Sequence, residues 1–153
     1  MEIRAYQPAD LEEVYRLFYD TVHSVNRADY APAQLDAWAP VEMDRSRWAD
    51  SLLSHTTWVA CESGCIIGFG DLAEGGYLDR LYVHKDFVRR GVASALLKRL
   101  EASAACQGCG RVYTEASITA RPFFEHWGYR VVKRQEKPLR GQVFLNFVME
   151  KML

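Results

Sequence analysis

The sequence predicts an α+β fold with a mixed, mostly antiparallel central sheet of about seven strands flanked by helices. Three observations carry that expectation. Short apolar runs parted by turn residues crowd residues 57–83, as hairpin-linked strands do. A helix-period segment over 91–105 lies between two strand-like runs, which makes a β-α-β crossover and so at least one parallel pair. The opening third is helical in spacing, so helices and strands are partly segregated along the chain.

Taken in order, Glu2 to Tyr6 reads as a short strand. Pro8-Ala9-Asp10 starts a helix in which Leu11, Val14, Leu17, Phe18 and Val22 share one face. Ala33 to Trp38 and Arg45 to Leu53 read as two shorter helices separated by Pro40. Thr57 to Glu62 and Cys65 to Leu72 form a hairpin, and Glu74-Gly75-Gly76 turns the chain into the strand Tyr77 to Val83. The long helix runs from Gly91 to Ala105, and a strand follows at Arg111 to Glu115 after Gly108 and Gly110. A short helix spans Thr119 to Trp127, with Gly128 as its stop. The closing strands are Tyr129 to Glu136 and Gly141 to Lys151. No repeat or linker interrupts the series, so residues 1–153 are expected to form one domain.

At 153 residues and 49% hydrophobic content, the chain can bury a single substantial core. Net charge is −1, with no basic stripe to hold nucleic acid or an anionic membrane, and neither is expected as a partner. No apolar run reaches membrane-spanning length, and MEIRAYQPADLEE is charged where a secretion signal is apolar. A cytoplasmic protein is expected. Cys61 and Cys65 flank a hairpin turn, whereas Cys106 and Cys109 end the long helix. The two pairs fall at opposite ends of the sheet, and four ligands must converge on one ion. Reduced thiols and no metal site are therefore expected.

The segment LYVHKDFVRRGVASALL, Leu81 to Leu97, carries the chemistry. A strand ends at Tyr82 and Val83; Arg89, Arg90, Gly91 and Ala93 then lead into a helix. Unpaired N–H groups and the positive end of the helix dipole gather at that turn, which suits a phosphate. The turn lacks the Gly-Lys-Ser/Thr ending of a triphosphate loop and the three spaced glycines of a dinucleotide fold.

It resembles the coenzyme A loop of the GNAT superfamily of N-acetyltransferases, whose pattern is Gln or Arg, two residues, Gly, any residue, then Gly or Ala. Gly91 and Ala93 match, while Val88 stands in place of the Gln or Arg. A second segment, Ala116 to Val132, resembles the stretch after the family's fifth strand: Ala120, Phe123, Glu125, Gly128 and Tyr129 match. There Ser117 replaces an Asn, and Phe124 replaces a tyrosine that often acts as general acid. The resemblance implies a three-layer fold and acetyl-CoA as acetyl donor. It assigns the coenzyme to Leu81, Tyr82 and Val83, to Val88, Arg89, Arg90, Gly91, Val92, Ala93 and Ser94, and to Phe124.

Acetyl transfer to an amine needs a deprotonated nitrogen, a polarised thioester carbonyl and a stabilised thiolate. Stripping the proton from an alkylamine of pKa about 10.4 at neutral pH costs about 4–5 kcal/mol. A carboxylate can take that proton. A backbone N–H can polarise the carbonyl, a contribution of roughly 3–4 kcal/mol, and the resemblance places that donor at Tyr82 or Val83. Two carboxylates compete for the base. Period-two alternation puts Asp79 on the face of Tyr77, Leu81 and Val83, with Arg80 on the opposite face. Glu115 ends the neighbouring strand and can equally serve as an N-terminal charge for the following helix. Asp71 and Glu74, near a turn, are expected in solvent. With Phe124 lacking a phenol, Ser117, Tyr113, Tyr82 or water must protonate the thiolate.

Tyr30, Trp38 and Trp48, flanked by His23 and His55, mark where a small-molecule or peptide amine would enter. They read either as an aromatic-walled pocket or as plain packing of short helices. The leading expectation is an acetyl-CoA-dependent N-acetyltransferase, monomeric or homodimeric. The alternative is a coenzyme-A-binding sensor or degenerate relative without transfer activity.

Overall fold

All of residues 1–153 are described by the computed structural model. The strands are β1 (Glu2–Ala5), β2 (Thr56–Glu62), β3 (Cys65–Ala73), β4 (Tyr77–Val83), β5 (Arg111–Ser117), β6 (Arg130–Leu139) and β7 (Gln142–Met152). The helices are α1 (Leu11–Ser24), α2 (Pro32–Trp38), α3 (Arg45–Ser54), α4 (Val92–Cys106) and α5 (Arg121–His126). One sheet holds all seven strands in the order β1-β2-β3-β4-β5-β7-β6. Only β4 and β5 run parallel, as the α4 crossover requires.

Element boundaries moved where side chains compete for backbone groups. Asp10 accepts the Gln7 N–H at 2.8 Å and pairs with Arg4, so Pro8–Asp10 is a 3-10 turn and α1 begins at Leu11. Ser117 Oγ accepts the Ala120 N–H at 3.0 Å, which delays α5 to Arg121. Strands β6 and β7 extend to a two-residue turn, Arg140-Gly141, with φ of 46° and 82°.

Helices α1, α2 and α3 cover one face of the sheet around Val14, Phe18, Trp48, Leu52 and Phe69. Helices α4 and α5 cover the other, around Leu78, Leu97, Leu100, Val112, Phe124 and Met149. Two glycines set how closely α4 sits. A Cβ on Gly68 would lie 2.9 Å from Val92, and one on Gly70 would lie 2.8 Å from Leu100. Bare backbone on that face of β3 lets α4 settle onto the sheet, which fixes its N-terminus beside the end of β4. The cysteines are free: Cys61 and Cys65 border the β2–β3 turn, while Cys106 ends α4 and Cys109 follows it. No helix is long and apolar enough to cross a membrane.

The parallel pair is brief. β4 and β5 are seven residues each, yet they pair only at Tyr77–Tyr113 and Leu78–Thr114, where Thr114 Oγ1 donates to the Leu78 carbonyl at 2.8 Å. Beyond that point β5 follows β7 as far as Ser117–Asn146, and a wedge opens between the two strands.

Candidate active site

The wedge exposes one edge of β4. The His84 N–H donates to the Ile67 carbonyl at 2.8 Å. Antiparallel alternation then turns the Tyr82 amide toward β3 as well, and the amides of Leu81 and Val83 toward the wedge. On that side the Val83 carbonyl already accepts the Thr21 hydroxyl of α1 at 2.9 Å.

The chain leaves β4 through a short turn closed by Phe87 N–H to the His84 carbonyl, 2.8 Å. Arg89 and Gly91 both take left-handed backbone, φ 63° and 79°. Gly91 is the N-cap of α4, and its carbonyl accepts from the Ser94 hydroxyl at 3.0 Å. A Cβ at Gly91 would meet nothing nearer than Ser94 Oγ at 3.8 Å, so the space above this backbone is open. Val88, Arg89 and Arg90 are exposed, with the Arg90 guanidinium 5.2 Å from the Phe87 ring centroid. Val92 is buried, and Ala93 and Ser94 are half-buried. The sequence-expected loop is thus one continuous surface at the mouth of the wedge.

The opposite side of β4 holds a cavity of about 370 Å³ under α1, α2 and α3. Phe18, Tyr30, Trp38, Trp48, Tyr82 and Phe144 supply its apolar walls. The two readings of the early aromatics both hold, since Tyr30 and Trp48 are buried in the core and still line the cavity. Tyr30 is fixed at both ends of its hydroxyl, donating to the Leu145 carbonyl at 2.7 Å and accepting the Ile118 N–H at 3.0 Å.

A β-bulge corrects the alternation expected for β4. Asp71 pairs with Arg80 and Leu72 with Leu78, leaving Asp79 as an extra residue. Leu78 therefore packs toward α4 together with Leu81 and Val83. Tyr77, Asp79, Arg80 and Tyr82 all line the cavity. Asp79 does share a face with Tyr77, but not with Leu81 and Val83, and Arg80 is its neighbour rather than its opposite. Re-aiming a side chain is what bulges near functional sites do.

Arg80 is consequently a structural partner, contrary to expectation. Its Nη2 lies 3.3 Å from Asp79 Oδ2 and 3.1 Å from Asp71 Oδ2, it bonds Ser51 Oγ, and it stacks 4.5 Å over Trp48. Asp71 is not in solvent but fully buried. Its Oδ2 takes a second partner, His55 Nδ1 at 2.8 Å, and that nitrogen is 3.9 Å from Asp79. Glu74 is exposed as expected. Burial pushes the Asp71 carboxyl above the usual carboxylate range, against the pull of His55 and Arg80. The bond to Asp71 raises His55 above 6.5. Burial likewise raises the Tyr77 and Tyr82 phenols. His55, Asp71 and Asp79 lie close enough to hold a cation, and the Arg80 guanidinium supplies that charge.

Glu115 also lines the cavity, with its Oε2 bonded to Lys137 Nζ at 2.5 Å. Ser117 lines it as well, with its hydroxyl proton uncommitted while its oxygen accepts from Ala120. Phe124 sits in the α4-side core, 4% exposed and edge-on to Tyr129 at 5.1 Å. Lys137, Arg140 and Asn146 complete the far wall and carried no sequence signal, because nothing local marks a hairpin that folds back over a cavity.

A sequence profile of the acetyltransferase (GNAT) domain family matches residues 26–151. The uncharacterized N-acetyltransferase YafP of Escherichia coli K12 is 40% identical over 149 residues, which is 97% of this chain and 94% of that relative. A crystal structure of a GCN5-related N-acetyltransferase from Rhodopseudomonas palustris superposes with a TM-score of 0.96 at 31% identity, over 99% of this chain and 95% of the other. The PaiA N-acetyltransferase of Thermoplasma acidophilum, solved with coenzyme A, shares the fold at a TM-score of 0.82 and 17% identity, over 99% and 98% of the two chains. The seven-stranded fold is shared with these relatives, and the chain belongs to the GNAT superfamily of N-acetyltransferases.

Proposed function

We propose that the protein transfers an acetyl group from acetyl-CoA to a primary amine by direct attack on the thioester. The observation that carries this reading is the wedge itself. It joins the open amides of the Arg89–Ser94 loop on one side to a cavity bearing Asp79 and Glu115 on the other.

The loop suits a pyrophosphate. Left-handed backbone at Arg89 and Gly91, open space above Gly91 and two exposed guanidinium groups satisfy an anion without a side-chain clash. Leu81, Tyr82 and Val83 would hold the pantetheine arm by strand-like pairing along the wedge. When bound, acetyl-CoA supplies an acyl group on a good sulfur leaving group.

The chain's own residues do the rest. Val83, whose amide faces the wedge, donates to the carbonyl oxygen as charge grows there; Tyr82, its alternative, has its amide turned to β3. Asp79 accepts the amine proton as the N–C bond forms and the C–S bond breaks. Asp79 suits the base role better than Glu115, whose Oε2 is tied to Lys137 at 2.5 Å, while the nearest cation to Asp79 is Arg80 at 3.3 Å. Ser117 or solvent protonates the thiolate, which at a thiol pKa of about 8.5 needs little help.

The burial of Phe124, with no phenol at its position, favours the second reading: a coenzyme-binding relative without transfer. Thiol release from acetyl-CoA across a panel of primary amines separates the two. Amine-dependent release above the background without protein is expected. Tight coenzyme binding with no release from any amine would establish the sensor instead.

A further inference from the structure

The cavity beside β4 has an uneven charge pattern. Each of its carboxylates has a cation: Asp79 has Arg80 at 3.3 Å and Glu115 has Lys137 at 2.5 Å. Behind them, buried Asp71 is held by His55 at 2.8 Å. One cation is left over. Arg140 lines the cavity, and its guanidinium contacts only neutral groups, the Ala37 carbonyl at 2.7 Å and Met43 Sδ at 3.6 Å.

The position of Arg140 is costly as well as unpaired. It is the first residue of the two-residue β6–β7 turn and takes φ 46°. Both central residues of such a turn need positive φ, which Asn, Asp and Gly supply with least strain. An arginine there takes on backbone strain that Asn or Gly would largely avoid. Strain of this kind persists where the surroundings use it. Here the hairpin carries Arg140 over the cavity to α2, beside the rings of Trp38 and Phe144, which meet edge-on at 6.0 Å.

We infer that the acceptor is an amine that also bears a carboxylate, which Arg140 binds while Trp38 and Phe144 cover the apolar body. A planar fork with an unclaimed charge is the group best matched to a carboxylate. The same pattern opposes polycations, since a second ammonium would meet Arg80, Lys137 or Arg140 rather than a free carboxylate. The inference rests on the acceptor-site reading of this cavity and names the acceptor's class.

Binding tests it independently of turnover. Calorimetry on the full chain saturated with coenzyme A would compare phenylalanine, leucine and γ-aminobutyrate with their primary amides and decarboxylated amines, and with spermidine. At least one amino acid is expected to bind tenfold or more tightly than its amide. In Arg140→Gln that ratio should fall to threefold or less. Arg140→Asn should lose it equally, and because Asn suits the turn, a collapsed hairpin cannot account for the loss. Three results would overturn the inference: amides or spermidine binding as well as the acids, a preference that survives both substitutions, or no binding by any carboxylate-bearing amine. Carboxylate-dependent binding without thiol release would instead sink acetyl transfer and leave the acceptor class standing.

Discussion

The loop before α4 and the cavity beside β4 meet at one wedge, yet they are built in opposite ways. The loop is contiguous: it is a run of seven successive residues, Val88 to Ser94, of which only Val92 is buried. The cavity draws on α1, α2, α3, β4, β5, β6 and β7, and is lined by side chains brought from far apart in the chain. A contiguous site made of backbone is expected to tolerate side-chain change. A site assembled across the fold depends on each register that places a side chain.

The sharpest break between the two regions should come from Asp79. Asp79→Asn keeps the shape and removes the acceptor charge, so turnover should fall on the order of 10²-fold or more. Coenzyme affinity should change little, and the variant's rate should recover as pH rises and free amine becomes available. Turnover close to that of the unaltered protein across neutral pH would shift the base role to Glu115, tested in parallel by Glu115→Gln.

In the loop the largest effect should follow from Gly91→Val. Protein atoms leave room for a side chain there, so the damage would come from forcing a β-branched residue into left-handed backbone and from filling the approach to the amides. Acetyl-CoA affinity by calorimetry should drop about 10- to 100-fold with the fold intact. Removing charge without blocking the approach is gentler. Arg89→Ala with Arg90→Ala should weaken binding by about tenfold at low salt, and by less as salt rises. Equal losses at all salt concentrations would mean the arginines act through loop shape instead.

These contrasts also explain what could be read from the chain. Helix order followed from periodicity because Val14, Leu17, Phe18 and Val22 repeat at the spacing of the face they bury, and strand order followed from short apolar runs parted by turn residues. The turn before α4 could be read as a candidate loop because its glycine and arginines are adjacent in sequence. The bulge at Asp79 was not legible, since it arises from a mismatch between β3 and β4 that neither strand encodes alone. Asp71 was misplaced for a related reason. Proximity to a turn suggests solvent, but the ring of His55 and the guanidinium of Arg80 arrive from α3's end and from β4 to cover it. The close seat of α4 on Gly68 and Gly70 had a visible signal in two glycines alternating along one strand.

The smallest predicted effect concerns the cavity floor and should be absent from the loop. His55 binds its proton more tightly in the folded chain than in the unfolded one, because its Nδ1–H bonds the Asp71 carboxylate. The stabilisation this provides is complete below the ordinary value of 6.5 and is lost as pH rises through the raised folded value. Melting temperature should therefore decline between pH 6 and 9. His55→Gln should melt about 2–6 °C lower at pH 6, where a charge-assisted bond to a buried carboxylate is lost. The gap should narrow as pH rises through the raised folded value, where the unaltered protein also loses its imidazolium. Arg89→Ala should follow the unaltered protein across the range, because the loop contains no comparable buried pair. A gap that stays constant from pH 6 to 9 would assign His55 a packing role and leave the charge on Asp71 to Arg80 alone.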